Sequence, residues 1–160
     1  WSYMEPWRVM VARPFNHIGA GQSEAFVIPS VARQLVRIGL GLQEPVLQVG
    51  DVDVTRDFLD VRDVIRAYLR LLDAGRSGEV YNVCSGGEVS IRQLVQQMAT
   101  LAGVEVQLVQ DADRLRRSEQ RRVLGCSAKL QSETGWEPAI AIEETLQSVL
   151  ADWGMREVQE

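Results

Sequence analysis

The segment that most constrains this chain is an apolar run at residues 9–12 (VMVA), followed at once by the polar stretch 13–22 (RPFNHIGAGQ). The apolar run predicts a buried strand. Pro14 and Gly19 interrupt regular structure after it, so we expect a loop there. Polar side chains on such a loop lie beyond the carboxyl end of a strand, where open α/β sheets bind ligands. The sequence therefore predicts a ligand-binding loop near its start.

Strand and helix patterns alternate along the rest of the chain. Further strands are predicted at residues 46–49, 55–59, 80–83 and 105–109, and helices at residues 24–38, 61–73, 91–102, 127–134 and 142–153. The alternation favours an α/β fold. The helix over residues 61–73 is expected to turn one apolar stripe to the core, made of Val61, Val64, Ile65, Tyr68 and Leu72.

Helix caps explain several of the polar residues. Asp60 suits the N-cap of the helix that follows it, because its carboxylate can accept free backbone N–H groups. Ser90 and Gln93 have the spacing of a capping box. The neighbouring carboxylates Asp60 and Asp63 are therefore better explained by capping than by acid–base catalysis.

Size, charge and cysteine content exclude several classes of protein. A chain of 160 residues is one domain by default and can bury a real core. A net charge of −5 argues against general nucleic-acid binding. No apolar stretch reaches the roughly 18 residues that a membrane span needs. Cys84 and Cys126 lie far apart in no metal-binding pattern, so we expect no metal site and a cytoplasmic location.

The cations are distributed unevenly. All but one of the 17 are arginine, and five of these lie within residues 114–122. Arginine binds phosphate through two parallel hydrogen bonds, so this stretch is a candidate anion site. A solvated basic loop explains the same stretch equally well, and both interpretations stay open.

Motifs for a dinucleotide or for a hydrolase are missing from the sequence. Gly19 and Gly21 lack the third glycine of a dinucleotide-binding turn, and so do Gly39 and Gly41. His17 is the only histidine, and no Gly-x-Ser-x-Gly motif accompanies it. A structural, hydrogen-bonding role for this histidine is as plausible as a functional one.

Several segments carry a family resemblance. Residues 13–22 resemble the pattern RPFNHIGPGQ, residues 50–64 the pattern GN-x5-RDF-x-DVRDV, and residues 78–86 the pattern GEVYNVCSG. Residues 115–119 resemble LRPxE and are followed by GWEP at residues 135–138. Together they resemble extended short-chain dehydrogenases/reductases that act on nucleotide sugars. Within that family the similarity is to the GDP-mannose branch, which holds GDP-mannose 4,6-dehydratases and GDP-4-keto-6-deoxy-D-mannose reductases.

The resemblance implies a fold and an incomplete enzyme. Residues 1–160 would form a single substrate-binding portion together with late strands of a Rossmann-type, NAD(P)-binding fold. The N-terminal cofactor-binding half would be absent. The family's Tyr-x-x-x-Lys pair is also missing, because Gly125 stands four residues before Lys129, the only lysine. No catalytic residue is therefore assigned, and we expect the chain to be inactive alone.

The resemblance also implies roles for individual residues. Phe15 and His17 would lie near the nicotinamide of NADP, although this chain alone is not expected to hold that cofactor. Ala20 and Arg117 stand where the family has proline, so the local backbone there can differ. The GDP-sugar would be bound by Asn16, Phe26, Val27, Arg56, Arg116 and Glu119, with the two arginines on its diphosphate.

Alternatives to a reductase or dehydratase portion remain. The chain could instead be a stand-alone module that binds a nucleotide sugar or a partner without catalysis, or a decayed product without function. Expected partners are a GDP-sugar and either a missing Rossmann half or a second copy of the chain. Self-association would follow from the strands near Val9 and Val80, whose edges such a half would otherwise cover.

Overall fold

The computed structural model describes residues 7–111 and 120–159. The predicted α/β alternation is present in these ranges. The strands are β1 (Val11–Pro14), β2 (Asn16–Ile18), β3 (Val46–Val49), β4 (Thr55–Arg56), β5 (Phe58–Asp60), β6 (Val80–Val83), β7 (Val89–Ser90) and β8 (Gln107–Gln110). The helices are α1 (Val27–Gly39), α2 (Val61–Ala74), α3 (Ile91–Ala102), α4 (Ala128–Thr134) and α5 (Ile142–Gln159).

The strands pair mainly in parallel. Parallel pairs join β1 to β6, β2 to β5 and β3 to β8, whereas β4 pairs with β7 in antiparallel fashion. Residues 121–123 run along the other edge of β4, where the Thr55 N–H donates to the Arg121 carbonyl at 2.9 Å. The Val123 N–H donates to the Thr55 carbonyl at 3.1 Å. β4 is thus paired on both edges.

Two hydrophobic clusters form the core of the described residues. The first lies among α1, α3, α5 and β3, and its fully buried side chains include Ile28, Val31, Leu35, Leu47, Leu94, Met98 and Leu146. In the second, α2 and α4 pack against the β1–β6 pair through Leu59, Val64, Ala67, Leu71, Tyr81, Val83, Leu130 and Trp136. No helix in the described part of the chain is long and apolar enough to span a bilayer.

The predicted helix caps are confirmed. The Asp60 carboxylate accepts the Arg62 N–H at 2.8 Å at the start of α2. Ser90 and Gln93 form both bonds of a capping box before α3. Gly135 ends α4 in the left-handed region, at φ +65°, where a residue without a Cβ is favoured.

The prediction of a buried first strand is wrong. β1 begins two residues later than expected, and Val11 is 48% exposed. Within the described residues β1 pairs only with β6, and only Met10 and Ala12 pack on the second cluster. Val9 and Val11 belong to the opposite face of the strand, which remains open.

The predicted core stripe of α2 is also largely wrong. Val64 is buried as expected, but Ile65, Tyr68 and Leu72 are exposed. The buried face consists instead of Asp63, Val64, Ala67 and Leu71. Leu69 joins the exposed apolar side chains, and we call Ile65, Tyr68, Leu69 and Leu72 the outer stripe of α2.

Candidate functional site

Part of the predicted binding loop is a strand. Residues 16–18 form β2 and pair in parallel with β5, with Asn16 opposite Phe58 and His17 opposite Leu59. β1 ends at Pro14, but residues 16–18 are extended again because they pair with the edge of β5. The pairing places the two polar motif segments, around Asn16 and around Arg56, side by side.

A cavity of about 460 Å³ collects the predicted substrate residues. Asn16, Phe26, Val27 and Arg56 all line it, although they come from separate parts of the sequence. His17 lines it as well. The structure thus brings together every predicted substrate residue that lies in its described ranges.

Arg56 gives the cavity its positive charge. It is only 8% exposed, and its Nη1 donates to the Thr55 carbonyl at 2.7 Å. Among the described lining residues it is the only arginine or lysine. The two carboxylates of the wall are paired, Glu24 with Arg33 and Asp51 with Arg121. Their charges are therefore partly balanced by partners of their own, and the buried Arg56 guanidinium adds a positive charge to the same wall.

The N-terminus of α1 faces the same cavity. Residues 27–30, its first turn, line the wall, and no acidic side chain stands in that turn. Phe26 occupies the N-cap position and forms no side-chain capping bond. A helix N-terminus carries a partial positive charge and N–H groups that favour a phosphate. In this turn the candidate donors are the Val27 and Ile28 N–H groups, because Pro29 has no N–H and the Ser30 N–H donates to the Phe26 carbonyl at 3.0 Å.

A second cavity adjoins the first and contains the predicted cofactor residues. Phe15 and His17 line it together with Pro14 and Val123, and Phe26 lines both cavities. The His17 Nδ1 lies 2.9 Å from the Phe15 carbonyl oxygen, so in the neutral ring Nδ1 carries the proton and Nε2 is left as an acceptor. The second cavity is thus mainly apolar with a polar imidazole edge.

Arg116 and Glu119, two predicted substrate residues, lie outside the described residues. The neighbouring arginines of the same basic stretch form ion pairs. Arg122 forms two bonds to the Glu88 carboxylate, at 2.6 and 2.9 Å, and these hold the pKa of Glu88 below its usual range. This described part of the stretch therefore has a structural role, because it holds Arg122 to the residue that precedes β7.

Several lining residues were missed by the sequence analysis. Gln48, Gly50 and Asp51 line the first cavity at the carboxyl end of β3. Gly50 and Asp51 directly follow a predicted strand, so the rule that ligands bind beyond strand ends could have identified them. Asp57 was also missed, and it lies beside Arg56 with its side chain fully buried.

Cys84 is not an activated nucleophile. Both thiols are free. Burial, followed by the nearby Asp57 charge, raises the pKa of Cys84 to about 11. Cys84 therefore stays protonated near neutral pH. Among the described residues no group of three or more metal-binding side chains is found.

The fold and the cavity define a class: an α/β protein with a cavity formed by strand ends and a helix N-terminus. The family described as GDP-mannose 4,6 dehydratase matches residues 2–149, and the chain belongs to this family. This confirms the resemblance and the expected extended short-chain dehydrogenase/reductase fold.

Individual relatives agree with this assignment. The chain is 57% identical over 156 residues to a GDP-6-deoxy-D-mannose reductase of Pseudomonas aeruginosa. It superposes with a TM-score of 0.92 and 56% identity on the solved structure of RMD from Pseudomonas aeruginosa complexed with NADPH. A dTDP-glucose 4,6-dehydratase from Bacillus anthracis in complex with NAD gives a TM-score of 0.76 at 30% identity.

The relatives are about twice as long as this chain. The matches cover 98% of the chain but 51% of the Pseudomonas reductase and 52% of the RMD structure. For the Bacillus dehydratase the shares are 94% and 46%. The chain thus spans about half the length of the relatives that it matches.

Proposed function

We propose that this chain is the GDP-sugar-binding portion of an NADP-dependent GDP-6-deoxy-mannose reductase. The observation that carries the proposal is the first cavity, which gathers Asn16, Phe26, Val27 and Arg56. The 57% identity to the Pseudomonas reductase favours this activity over that of a GDP-mannose 4,6-dehydratase, which remains the alternative.

The cavity chemistry supports a diphosphate ligand. Arg56 is almost fully buried, so its attraction to an anion is screened less than that of a surface arginine. The first turn of α1 supplies backbone donors on the same wall. The diphosphate is proposed to lie between these two groups.

The remaining walls suit the ends of a nucleotide sugar. Phe26 and Val27 offer an apolar border for the base, and the Asn16 amide can donate to a sugar hydroxyl or a phosphate oxygen. Arg116 and Glu119 keep the roles that the resemblance implies, on the diphosphate and on a ribose hydroxyl.

The cofactor fits this chain only in part. The second cavity, with Phe15 and Val123 beside the His17 ring, suits the flat nicotinamide end of NADP. When bound, NADP supplies the hydride of the reaction. The sequence carries no glycine-rich turn for its phosphates, so we propose that a separate cofactor-binding half completes the site. The open face of β1 and the outer stripe of α2 are apolar surfaces that such a half can cover.

Calorimetric titration of the chain with GDP and with free mannose tests the binding proposal. GDP is expected to bind and mannose is not. Arg56→Ala should weaken GDP binding about tenfold or more, because it removes charge-assisted bonds from a buried guanidinium. Arg116→Ala is expected to act in the same direction.

Arg92→Ala is the matched control for this titration. Arg92 is an exposed arginine that pairs with Asp53 at 2.8 Å and does not line either cavity. Its removal should leave the affinity for GDP unchanged. Equal affinity of wild type and Arg56→Ala, or no preference for GDP over mannose, would contradict the proposal.

A further inference from the structure

The Asp57 carboxylate is the centre of a buried hydrogen-bond cluster next to Arg56, which lines the first cavity. One carboxylate oxygen accepts the Ser85 N–H at 2.8 Å and the Ser85 hydroxyl at 2.7 Å. The other accepts the Gly86 N–H at 3.0 Å and the Gly125 N–H at 3.3 Å. Its side chain is fully buried, and three of these four donors are backbone groups. The charge of Asp57 is thus stabilised by chain segments rather than by solvent.

The cluster connects three separate segments of the chain. Asp57 itself links β4, which carries Arg56, to β5, which carries Phe58. Ser85 and Gly86 form the turn after β6. Gly125 belongs to the segment that precedes α4 and runs beside β4. Two of the three therefore carry or adjoin residues that line the cavities.

Gly125 connects this cluster to Phe15 by direct packing. A Cβ on Gly125 would lie 2.5 Å from the Cys84 sulfur and 2.8 Å from Cζ of Phe15, so the backbone packs directly against both side chains. Val123, two residues earlier, lines the second cavity together with Phe15. The position of Gly125 therefore sets how far the Phe15 ring reaches into that cavity.

We propose that Asp57 is a positioning residue for the ligand site: by holding Gly125 and the turn after β6, it fixes Phe15 and the neighbouring Arg56 at the two adjoining cavities. The proposal rests on the proposed GDP-sugar binding for its functional consequence. Asp57 itself lines neither cavity, and the described donors to its carboxylate belong to Ser85, Gly86 and Gly125.

Asp57→Asn is the direct test. Each carboxylate oxygen accepts two N–H or O–H donors, and an amide can keep only one of these oxygens. Buried N–H donors then lose their partner, and we expect GDP affinity to fall about tenfold. Asp63→Asn is the matched control, because Asp63 is also fully buried and accepts the Ala139 and Ile140 N–H groups, but it lies outside both cavities. It should keep the affinity for GDP even where it lowers thermal stability.

NMR spectroscopy without ligand reports the local packing of Phe15, which a general loss of stability elsewhere in the fold would not change. In Asp57→Asn the Phe15 ring signals should shift and the Gly125 amide should exchange faster, whereas Asp63→Asn should alter neither. Ser85→Ala is a milder variant, because it keeps the three backbone bonds to Asp57. It removes the hydroxyl bond to Asp57 and the bonds of the same hydroxyl to Gly87, and it should shift the Phe15 signals by less.

Each outcome decides one question. Unchanged Phe15 signals in Asp57→Asn, or in Ser85→Ala if the first variant does not fold, would overturn the positioning role. Equal loss of GDP affinity in the Asp57 and Asp63 variants would overturn it too. If the wild-type chain does not bind GDP, the proposed function fails, and the ligand-free spectra alone decide the role of Asp57.

Discussion

Glu157 provides the sharpest test of how the scaffold around the site is held together. It lies near the end of α5, its side chain is 2% exposed, and its carboxylate bridges two arginines of α1. Oε1 accepts from Arg33 Nε at 2.6 Å, and Oε2 accepts from Arg37 Nη1 at 2.7 Å. The bridge fixes α1, whose first turn forms part of the cavity wall.

The size of the effect follows from the exposure of the partners. A hydrogen bond to a charged group contributes about 1.5–3 kcal/mol. Arg33 and Arg37 keep 30% and 34% of their side chains exposed, so water can replace part of what they lose. We therefore expect Glu157→Gln to lower the free energy of unfolding by about 2 kcal/mol in total, less than two full bonds. For a domain of this length that corresponds to a Tm lower by about 4–8 °C.

The effect should depend on pH in one direction. The hydrogen bond from Arg33, and to a smaller extent that from Arg37, holds the pKa of Glu157 below its usual range. A lowered pKa in the folded state stabilises the fold above the unfolded pKa of about 4.3, and this contribution is lost as pH falls through the folded value. The difference between wild type and Glu157→Gln should therefore be constant from pH 6 to 8 and shrink in acid.

Thermal unfolding followed by circular dichroism at neutral and acid pH measures both quantities. Glu144→Gln is the control: it also lies on α5 and pairs with Arg62 at 3.1 Å, but 59% of its side chain is exposed. Exposed ion pairs contribute little, so its Tm should hardly change. Equal shifts in the two variants, or a Glu157 effect that persists undiminished in acid, would refute the reasoning.

Two further predictions concern the chain by itself. Purified alone, it should not oxidise NADPH in the presence of a GDP-4-keto-6-deoxy sugar, because it carries no glycine-rich turn and no Tyr-x-x-x-Lys pair; measurable turnover in an absorbance assay would contradict this. It should self-associate at micromolar concentration through the open face of β1 and the outer stripe of α2. In light scattering, Leu69→Glu should reduce that association and Leu42→Glu, an exposed leucine away from both surfaces, should not; a wild-type chain that stays monomeric would refute it.

Local signals predicted the elements that local interactions determine. Asp60, the Ser90–Gln93 box and Gly135 all act within a few residues of their own position, and each marks a helix end in the structure. Strands β3 and β6 match their predicted ranges because short apolar runs between turn residues leave few alternatives.

The α2 helix shows why periodicity fails to identify the buried face. Apolar side chains recur at three- and four-residue spacing on two adjacent faces, one through Val64 and Leu71 and one through Ile65 and Leu72. Both sets satisfy the helical pattern, and the packing of α4 and the β1–β6 pair decides which one is covered. The buried face of α2 therefore cannot be predicted from the periodicity of its sequence alone.

Long-range contacts account for the residues that the sequence analysis missed. α5 continues six residues beyond its predicted end, and there Glu157 meets Arg33, 124 positions away in the sequence. Asp57 and Gly125 are 68 positions apart. No local pattern marks either pair, because the partners become neighbours only when the chain is folded.

The tripeptide 56–58 shows how one short motif combines a ligand role with a structural one. In an extended segment, successive side chains point to opposite faces. Arg56 and Phe58 accordingly both line the first cavity, while Asp57 between them points away and binds the Ser85 and Gly125 segments. Because of this alternation, the ligand role and the structural role can be tested separately. A change at Arg56 should weaken binding directly, whereas a change at Asp57 should weaken it only by displacing residues that line the cavities. For Arg56→Ala we therefore expect a loss of GDP affinity without a shift of the ligand-free Phe15 ring signals.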